Sequence, residues 1–168
     1  MIKPAQHTAF IGLGGNIGDP RATIRLALER LDSVPSVKVV TTSDLIQTKP
    51  VGPIPNQPDF INGAAKIQTG LTPLELLDTL LSIEAAFGRD RRTEKNKGPR
   101  TLDLDLLLYG DRIIRNRRLV VPHPELSNRR FVLEPLAQIA PDAILPSDGR
   151  TVRQLLDLLL QRKEDSAK

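Results

Sequence analysis

The sequence predicts an α+β fold in which one antiparallel sheet carries helices on both of its faces. Three observations lead to this expectation. Short β-prone segments are bounded by Gly, Pro and Asp, capped segments with helical periodicity lie between them, and the elements run strand, helix, strand, strand, helix, strand. This βαββαβ order is typical of the ferredoxin-like core, so we expect a three-layer α/β/α arrangement.

The first half of the chain predicts one helix and three strands. Residues 8–13 form a β-prone run that ends in a glycine pair. Asp19 and Pro20 predict a helix start, because Asp caps free amides and Pro lacks an N–H that would need a partner there. Residues 37–46 and 60–68 predict the second and third strands.

The second half begins with a capping box, the paired Thr72 and Glu75. This pair predicts a helix, and Gly88 is where we expect that helix to end. The Leu-rich residues 101–109 predict the fourth core strand. A further short strand is expected at residues 118–121.

Two helices are expected to complete the chain. One spans residues 130–139, and the other begins at Thr151, which forms a second capping box with Gln154. Residues 164–168 are expected to be a loose tail. With 168 residues, 39% of them hydrophobic, the chain is predicted to fold as a single domain over residues 1–168.

Composition argues against several classes of protein. The chain has no Cys, which excludes disulfides and thiolate metal sites. Its apolar runs are far shorter than the roughly 20 residues of a membrane helix, and the N-terminus lacks a signal-peptide stretch, so we expect a cytoplasmic protein with no membrane partner. Residues 89–130 hold 12 of the 24 Lys and Arg residues, which favours a phosphate-bearing ligand. Four Phe and one Tyr leave few stacking platforms for nucleic acid.

The most informative motif is the run GPRTLDLD at residues 98–105. On a strand, Asp103 and Asp105 share one face, about 7 Å apart at the backbone. Such a pair can bind Mg²⁺, which takes one or two carboxylates together with substrate phosphates. The alternative is an amphipathic strand whose polar face happens to be acidic. Against it, Asp is disfavoured in strands, and two on one face repel each other.

A strongly basic loop at residues 88–100 precedes this strand. Guanidiniums on such a loop can close over a polyphosphate and exclude water, although a solvated surface loop is the alternative. A Walker-type phosphate loop is absent from the sequence. The segment at residues 12–18 also fails the dinucleotide pattern, because Ile17 stands at its last glycine position. ATP would therefore have to be held in another way.

Together these motifs resemble those of the hydroxymethyldihydropterin pyrophosphokinases. The run GPRTLDLDLL at residues 98–107 is similar to the signature of that family. The other similar runs follow in the family's order: GGN at 14–16, TKPVG at 48–52, NQPDFIN at 56–62, IE at 83–84 with GRDR at 88–91, VPHP at 121–124 and NRRF at 128–131. The resemblance covers residues 8 to about 145. It implies a folate-synthesis enzyme that joins ATP to 6-hydroxymethyl-7,8-dihydropterin, giving the pterin diphosphate and AMP. We expect the chain to be a monomer.

The resemblance also implies roles on the phosphate side. Asp103 and Asp105 are expected to hold two Mg²⁺ ions that bridge the ATP phosphates and the attacking oxygen. Arg89 and Arg91 are expected to move in with the loop and stabilise the transferred group. The remaining ATP contacts that the resemblance implies are Glu84, Arg100, Arg118, Leu119, His123 and Arg129.

On the pterin side, the resemblance implies an aromatic pair and a set of polar groups. Phe60 and Phe131 match the stacking pair of the family, although a lone Phe is more often a core residue. Asn62 matches the amide that reads the edge of the ring, aided by backbone groups near Thr48 and Val51.

Three positions depart from the commonest family pattern: Leu81, Asn96 and Lys97. Many relatives carry Trp at the position of Lys97, which puts loop closure in doubt and predicts that Lys97→Trp tightens pterin binding. Two rival functions remain open at this point. One is a non-catalytic ferredoxin-like domain that binds nucleic acid through its basic face, and the other is a kinase that moves only the γ-phosphoryl group.

Overall fold

The computed structural model describes residues 6–50, 52–92 and 98–166. The strands in these ranges are β1 (His7–Gly15), β2 (Val37–Thr42), β3 (Ile46–Thr48), β4 (Phe60–Thr69), β5 (Asp103–Tyr109), β6 (Ile114–Arg115) and β7 (Val120–Val121). The α-helices are α1 (Pro20–Asp32), α2 (Pro73–Ala86), α3 (Arg130–Ile139) and α4 (Val152–Ser166). A short 3₁₀ helix spans Leu126–Asn128.

Strands β1 to β5 form one sheet in the order β2–β4–β1–β5, with β3 also paired to β4. Every pairing in it is antiparallel, and β1 lies at the centre between β4 and β5. Together with the positions of α1 and α2 in the chain, this order confirms the predicted α+β class with a ferredoxin-like βαββαβ core. Strands β6 and β7 form a separate two-stranded sheet. Of the strand expected at residues 118–121, only the last two residues are in a strand, which is β7.

The single strand predicted at residues 37–46 is wrong, because this segment forms two strands, β2 and β3. Between them, the amide of Ser43 donates to the carbonyl of Ala64 at 2.9 Å, and the Ser43 hydroxyl accepts from the Ala64 amide at 2.8 Å. Leu45 then lies over Gly63, where an added Cβ would be 2.6 Å from Leu45 Cδ2. The break therefore coincides with contacts to Gly63 and Ala64 of the neighbouring strand, which local sequence patterns do not reveal.

The sheet separates two hydrophobic clusters. Ile11 packs with residues of α1 and α2, whereas its neighbour Phe10 packs with residues of α3 and α4. In β5, Leu104 belongs to the α1/α2 cluster. Because successive side chains on a strand point to opposite faces, Asp103 and Asp105 face the α3/α4 side. The predicted shared face of the two carboxylates is confirmed, since both alternate with buried leucines.

Three helix starts that we predicted from capping residues are confirmed. Asp19 Oδ1 accepts from an amide in the first turn of α1 at 3.2 Å. At the start of α2, the Glu75 amide donates to Thr72 Oγ1 at 3.2 Å, and the Thr72 amide donates to Glu75 Oε2 at 2.9 Å. Thr151 and Gln154 repeat this reciprocal pair at α4, with distances of 2.9 and 3.1 Å.

The helix ends follow the prediction less closely. Gly88 follows α2 with φ at +89°, the left-handed backbone that glycine accommodates best. Helix α4 continues to Ser166, so the loose tail expected at residues 164–168 is wrong for its first three residues, and residues 167–168 lie outside the described ranges. Within the described residues, no helix has both the length and the apolar character needed to span a membrane.

Candidate active site

The sheet register brings polar side chains from β4 and β5 to either side of a glycine in β1. Gly14 is paired with Asn62 on one side and with Asp103 on the other. A Cβ added at Gly14 would lie 3.1 Å from Asn62 Oδ1 and 3.7 Å from Asp103 Cβ. Because Gly14 has no side chain, the space between the amide and the carboxylate stays open.

A cavity of about 370 Å³ opens at this point. Strand residues from the sheet lie on one side of it, and residues of α3 and α4 lie on the other. The lining residues are Gly14, Thr48, Lys49, Phe60, Asn62, Arg100, Asp103, Asn128, Arg129, Arg130, Phe131 and Lys163. The structure therefore brings the described residues of the predicted pterin set into one cavity with the first predicted metal ligand.

The pterin-side residues are held by one another and by two guanidiniums. Asn62 is 8% exposed, and its Nδ2 donates to Thr48 Oγ1 at 2.7 Å. The guanidinium carbon of Arg100 lies 5.8 Å from the centre of the Phe60 ring. A matching contact of 5.7 Å joins Arg129 to the Phe131 ring. Both predicted aromatic residues thus lie beside cations instead of inside the hydrophobic core. The remaining predicted pterin contact, Val51, lies outside the described residues.

The two carboxylates of β5 differ in their surroundings. Asp103 Oδ1 lies 2.9 Å from Arg89 Nη1, and Asp103 Oδ2 lies 3.3 Å from Arg100 Nη1. Asp105 lies near the imidazole of His123, whose Nε2 is 3.9 Å from Asp105 Oδ2. Burial raises the pKa of Asp105 from 3.8 to about 7, and the negative charges of Asp103 and Glu84 contribute to this rise.

This donor set fits a hard divalent cation. Both side chains supply oxygen ligands, and the burial and neighbouring carboxylates that raise the pKa of Asp105 disfavour its ionised form, which a bound cation would stabilise. In residues 6–50, 52–92 and 98–166, no group of three or more His, Asp or Glu side chains could hold a metal ion by itself. Phosphate oxygens would therefore have to complete the coordination, which is the usual arrangement for Mg²⁺.

His123 presents a neutral donor towards this pair. Burial lowers its pKa, and the nearby charge of Arg129 lowers it further. Nδ1 accepts a hydrogen bond from the Glu125 amide at 3.1 Å. The neutral imidazole therefore carries its proton on Nε2, the nitrogen that faces Asp105.

Glu84 lies behind β5 and not at the cavity. It is 1% exposed, and burial raises its pKa against the opposing effect of its hydrogen bonds and the nearby guanidiniums. Its Oε2 accepts from Arg89 Nη1 at 2.8 Å and from the Leu104 amide at 2.7 Å, while Oε1 accepts from Arg91 Nη2 at 2.7 Å. We expected Glu84 on the nucleotide side. In the structure it instead binds two arginines of the basic loop, Arg89 and Arg91.

Arg118 and Leu119 are also not brought to the cavity. Arg118 pairs with Asp78 of α2, and Leu119 is 7% exposed in the α1/α2 cluster. The amides of both residues donate to Asn116 Oδ1, at 3.0 and 2.9 Å. Both predicted ATP contacts therefore lie away from the carboxylate pair, on the side of the sheet that carries α2.

Five cavity residues carried no assignment from the sequence: Gly14, Lys49, Asn128, Arg130 and Lys163. All but Lys163 lie inside runs that resemble the family, and this proximity was the available signal. Lys163 comes from α4, far along the chain, and only tertiary packing brings it to the cavity. Of the departures from the family pattern, Leu81 is half-buried in α2, and the predictions for Asn96 and Lys97 fall outside the described residues.

Comparison with known proteins identifies the family of this chain. Residues 10–141 match the sequence profile of 7,8-dihydro-6-hydroxymethylpterin-pyrophosphokinase (HPPK). Two relatives named 2-amino-4-hydroxy-6-hydroxymethyldihydropteridine pyrophosphokinase are similar. One, from Synechocystis sp., is 46% identical over 90% of this chain and 75% of the relative. The other, from Haemophilus influenzae, is 47% identical over 83% of this chain and 86% of the relative.

Solved structures support the fold. The crystal structure of wild-type HPPK-DHPS from Plasmodium falciparum with pteroate superposes with a TM-score of 0.76 over 98% of this chain, at 15% identity. This chain spans 44% of that longer protein, and at such low identity the likeness shows the fold alone. The sequence matches show the family as well as the fold, because the family profile covers most of the chain and the identities are well above 30%. The chain therefore belongs to the 7,8-dihydro-6-hydroxymethylpterin-pyrophosphokinase family.

Proposed function

We propose that this chain transfers the diphosphate of ATP to 6-hydroxymethyl-7,8-dihydropterin, giving the pterin diphosphate and AMP for folate synthesis. One observation carries the proposal beyond family membership. A single cavity combines groups suited to a flat polar ring, such as Phe60, Asn62 and Phe131, with groups suited to polyphosphate, such as Arg129 and Asp103. An enzyme that joins these two ligands has to hold their reacting atoms close together, which requires both sets of groups in one cavity.

The pterin half of the site uses shape and hydrogen bonding. Phe60 and Phe131 stack on the ring, each face contributing about 0.5–1.5 kcal/mol beyond area burial. Asn62 offers both an amide donor and a carbonyl acceptor, so it discriminates sharply among heterocycles when water is excluded. Its hydrogen bond to Thr48 fixes the orientation of that amide, which supports this role. Val51 completes the proposed pterin set.

The phosphate half of the site uses charge. Two Mg²⁺ ions held by Asp103 and Asp105 supply charge neutralisation to the triphosphate when bound. Arg100 and Arg129 bind phosphate oxygens through forked guanidinium donors. His123 donates a hydrogen bond from its Nε2–H to the phosphate oxygens.

Arg89 and Arg91 of the basic loop stabilise the negative charge that develops on the transferred group and on the departing AMP. Glu84 holds both guanidiniums through its two oxygens, which supports a positioning role for this carboxylate and not a nucleotide contact. Arg118 and Leu119 remain proposed contacts of the nucleoside end, which extends away from the carboxylates.

In the transfer step, the hydroxymethyl oxygen of the pterin attacks the β-phosphorus of ATP. The bond from that phosphorus to the oxygen bridging it to the α-phosphorus breaks, AMP keeps this oxygen, and the alcohol proton passes to solvent. Positioning and charge stabilisation carry most of the rate enhancement in such transfers. The side chains therefore act mainly by aligning the alcohol with the β-phosphorus.

Nucleotide product analysis tests the proposal. Purified protein is mixed with Mg²⁺, ATP and the pterin alcohol, with Asp105→Ala as the inactive control and Asp157→Ala, on the exposed face of α4, as the matched acidic control. AMP that requires the pterin, persists in Asp157→Ala and is lost in Asp105→Ala supports the proposal. ADP in place of AMP would instead identify a γ-phosphoryl kinase. No turnover, combined with salt-sensitive RNA binding, would identify the nucleic-acid-binding alternative.

We further propose that the chain acts as a monomer and as one domain over residues 1–168. The shared sheet supports the single domain, because β1 pairs with both β4 and β5 and so joins distant parts of the sequence. Light scattering under assay conditions tests the monomer, and a stable dimer would contradict it.

A further inference from the structure

Asn16 is a buried polar residue that the proposed substrate contacts do not use. It follows the last residue of β1 and is 3% exposed. Its Oδ1 accepts from the Arg100 amide at 2.9 Å, and its own backbone amide donates to the Arg100 carbonyl at 3.0 Å. Its Nδ2 donates to Gln57 Oε1 at 3.2 Å and to the Pro58 carbonyl at 3.0 Å. The side-chain amide thus uses its acceptor and both of its donors.

These bonds join two segments that serve different ligands. Gln57 and Pro58 immediately precede β4, the strand that begins at Phe60 and carries Asn62. Arg100 lies at the end of the basic loop, just before β5 and its carboxylates. From that backbone position its guanidinium reaches both Asp103, at 3.3 Å, and the Phe60 ring, at 5.8 Å. Asn16 therefore fixes the pterin-side segment and the phosphate-side segment to the same end of β1.

A second observation at the same junction is independent of the Asn16 side chain. A Cβ added at Gly15 would lie 2.7 Å from the carbonyl oxygen of Thr101, a backbone atom that cannot rotate away. The end of β1 and the segment before β5 therefore approach more closely than any residue other than glycine permits. The Gly15-Asn16 pair is built for contact between these segments.

We propose that Asn16 is a positioning residue that holds the pterin-binding and ATP-binding segments in register, so that the alcohol oxygen and the β-phosphorus align. This inference rests on the proposed function. Asn16 does not line the cavity assigned to the substrates, and it acts through Pro58 and Arg100. Alignment of the reacting atoms is sensitive to small shifts, since a displacement of about 1 Å costs on the order of 10²-fold in rate.

Asparagine suits this junction better than its closest analogue, aspartate. In Asn16→Asp, the new carboxylate would keep an acceptor for the Arg100 amide but would have no donor for the Pro58 carbonyl, which cannot itself become a donor. Asn16→Asp therefore removes the hydrogen bond to the Pro58 carbonyl and keeps the one from the Arg100 amide. Asn16→Ala removes both of these side-chain hydrogen bonds. The two variants separate the two halves of the junction.

Steady-state kinetics and separate binding measurements test the role. For Asn16→Ala we expect kcat to fall by about 10- to 100-fold. The dissociation constants of an unreactive ATP analogue with Mg²⁺, and of the pterin alone, are expected to change by less than about threefold, because each half-site keeps its own contacts. A kcat within twofold of wild type in folded protein would overturn the inference, as would a loss confined to the affinity of one ligand.

Two further variants keep the test interpretable. Gln68→Ala removes another side-chain amide bridge between β4 and β1, the 2.7 Å bond to Thr8 Oγ1 at the opposite end of the strand pair. It is expected to leave kcat unchanged, so an equal fall in Gln68→Ala would assign the Asn16 effect to general loosening of the sheet. If Asn16→Ala does not fold, Asn16→Asp carries the test, with a fall in kcat still expected.

Backbone hydrogen exchange without substrates separates this inference from the proposed function. Asn16→Ala is expected to speed exchange around both residues 57–62 and residues 98–102, whereas Asn16→Asp keeps the Arg100 amide protected. In Asn16→Ala, faster exchange in only one of the two segments would contradict the proposal that Asn16 joins them. A wild-type chain that forms no AMP would overturn the proposed function, while the exchange pattern would still decide whether Asn16 joins the segments.

Discussion

Glu84 and Asp105 are carboxylates on opposite sides of β5, and their surroundings differ sharply. Glu84 is 1% exposed and receives hydrogen bonds from two arginines and a backbone amide. The Asp105 side chain is 34% exposed, and the neutral imidazole of His123 lies 3.9 Å from it. The first carboxylate is satisfied within the protein, whereas the second keeps capacity for an external cation. The same residue chemistry therefore serves structure on one face and, in the function that we propose, ligand binding on the other.

Arg89 connects the two faces. Its Nη1 lies 2.8 Å from Glu84 Oε2 and 2.9 Å from Asp103 Oδ1, and its side chain is 3% exposed. One guanidinium thus pairs with a carboxylate behind the strand and with a carboxylate at the cavity. Any change in the charge of Glu84 is expected to reach the cavity through this contact.

The largest effect on stability is expected from Glu84→Gln. The substitution replaces one acceptor oxygen with an NH2 group, so a donor among Arg89, Arg91 and the Leu104 amide loses its partner, and breaking a buried ion pair in this way costs on the order of 3 kcal/mol. Urea unfolding measures the loss. Glu134→Gln is the matched control, because its ion pair with Arg130 is largely exposed and contributes about 0.5 kcal/mol or less. Equal losses in the two variants would contradict the structural role of Glu84.

The opposite sign is expected for Asp105→Asn in metal-free protein. The pKa of Asp105 is about 7 in the folded chain against an ordinary 3.8, so the ionised carboxylate destabilises the fold. Removing the charge at pH 8 is expected to stabilise the protein by about 1–2 kcal/mol, a figure reduced for the solvent that reaches the side chain. The same variant is expected to lose AMP formation.

The pH dependence of the stability difference between Asp105→Asn and wild type tests whether the Asp105 charge destabilises the fold. The destabilising charge is fully present above pH 7 and disappears as the pH falls towards 3.8, because the folded chain then holds the proton. The difference in melting temperature between variant and wild type is therefore expected to be greatest near pH 8 and to shrink towards pH 4. A constant difference across this range would contradict the assignment of the effect to Asp105.

Local patterns predicted much of the fold and the acidic face of the site. Alternation along β5 predicted that Asp103 and Asp105 share a face, and reciprocal polar pairs such as Thr72 with Glu75 predicted where helices start. Each of these signals lies within a few residues of sequence. Such signals work because the period of a strand and the free amides of a helix end are properties of the local backbone.

Features set by distant contacts were not predicted. The break between β2 and β3 coincides with contacts to Gly63 and Ala64 in another strand. The position of Glu84 behind β5 depends on how α2 packs, since on the helix itself it is one acidic residue near the C-terminal end. The position of Lys163 in the cavity depends on the packing of α4. These residues carry ordinary local patterns, and only the assembled sheet and helices decide what they contact.

The smallest effects are expected from a pair of glycines in β1. A Cβ at Gly14 would lie 3.1 Å from Asn62 Oδ1, whereas a Cβ at Gly12 would lie 3.3 Å from Leu107 Cδ2 in the α3/α4 cluster. We expect Gly14→Ala to weaken pterin binding by about fivefold, roughly 1 kcal/mol, with little change in stability. Gly12→Ala is expected to cost about 1 kcal/mol of stability by overpacking, with pterin affinity unchanged. Calorimetric binding and urea unfolding of both variants measure the two effects, and equal changes in both properties would show that this strand does not separate ligand contacts from core packing.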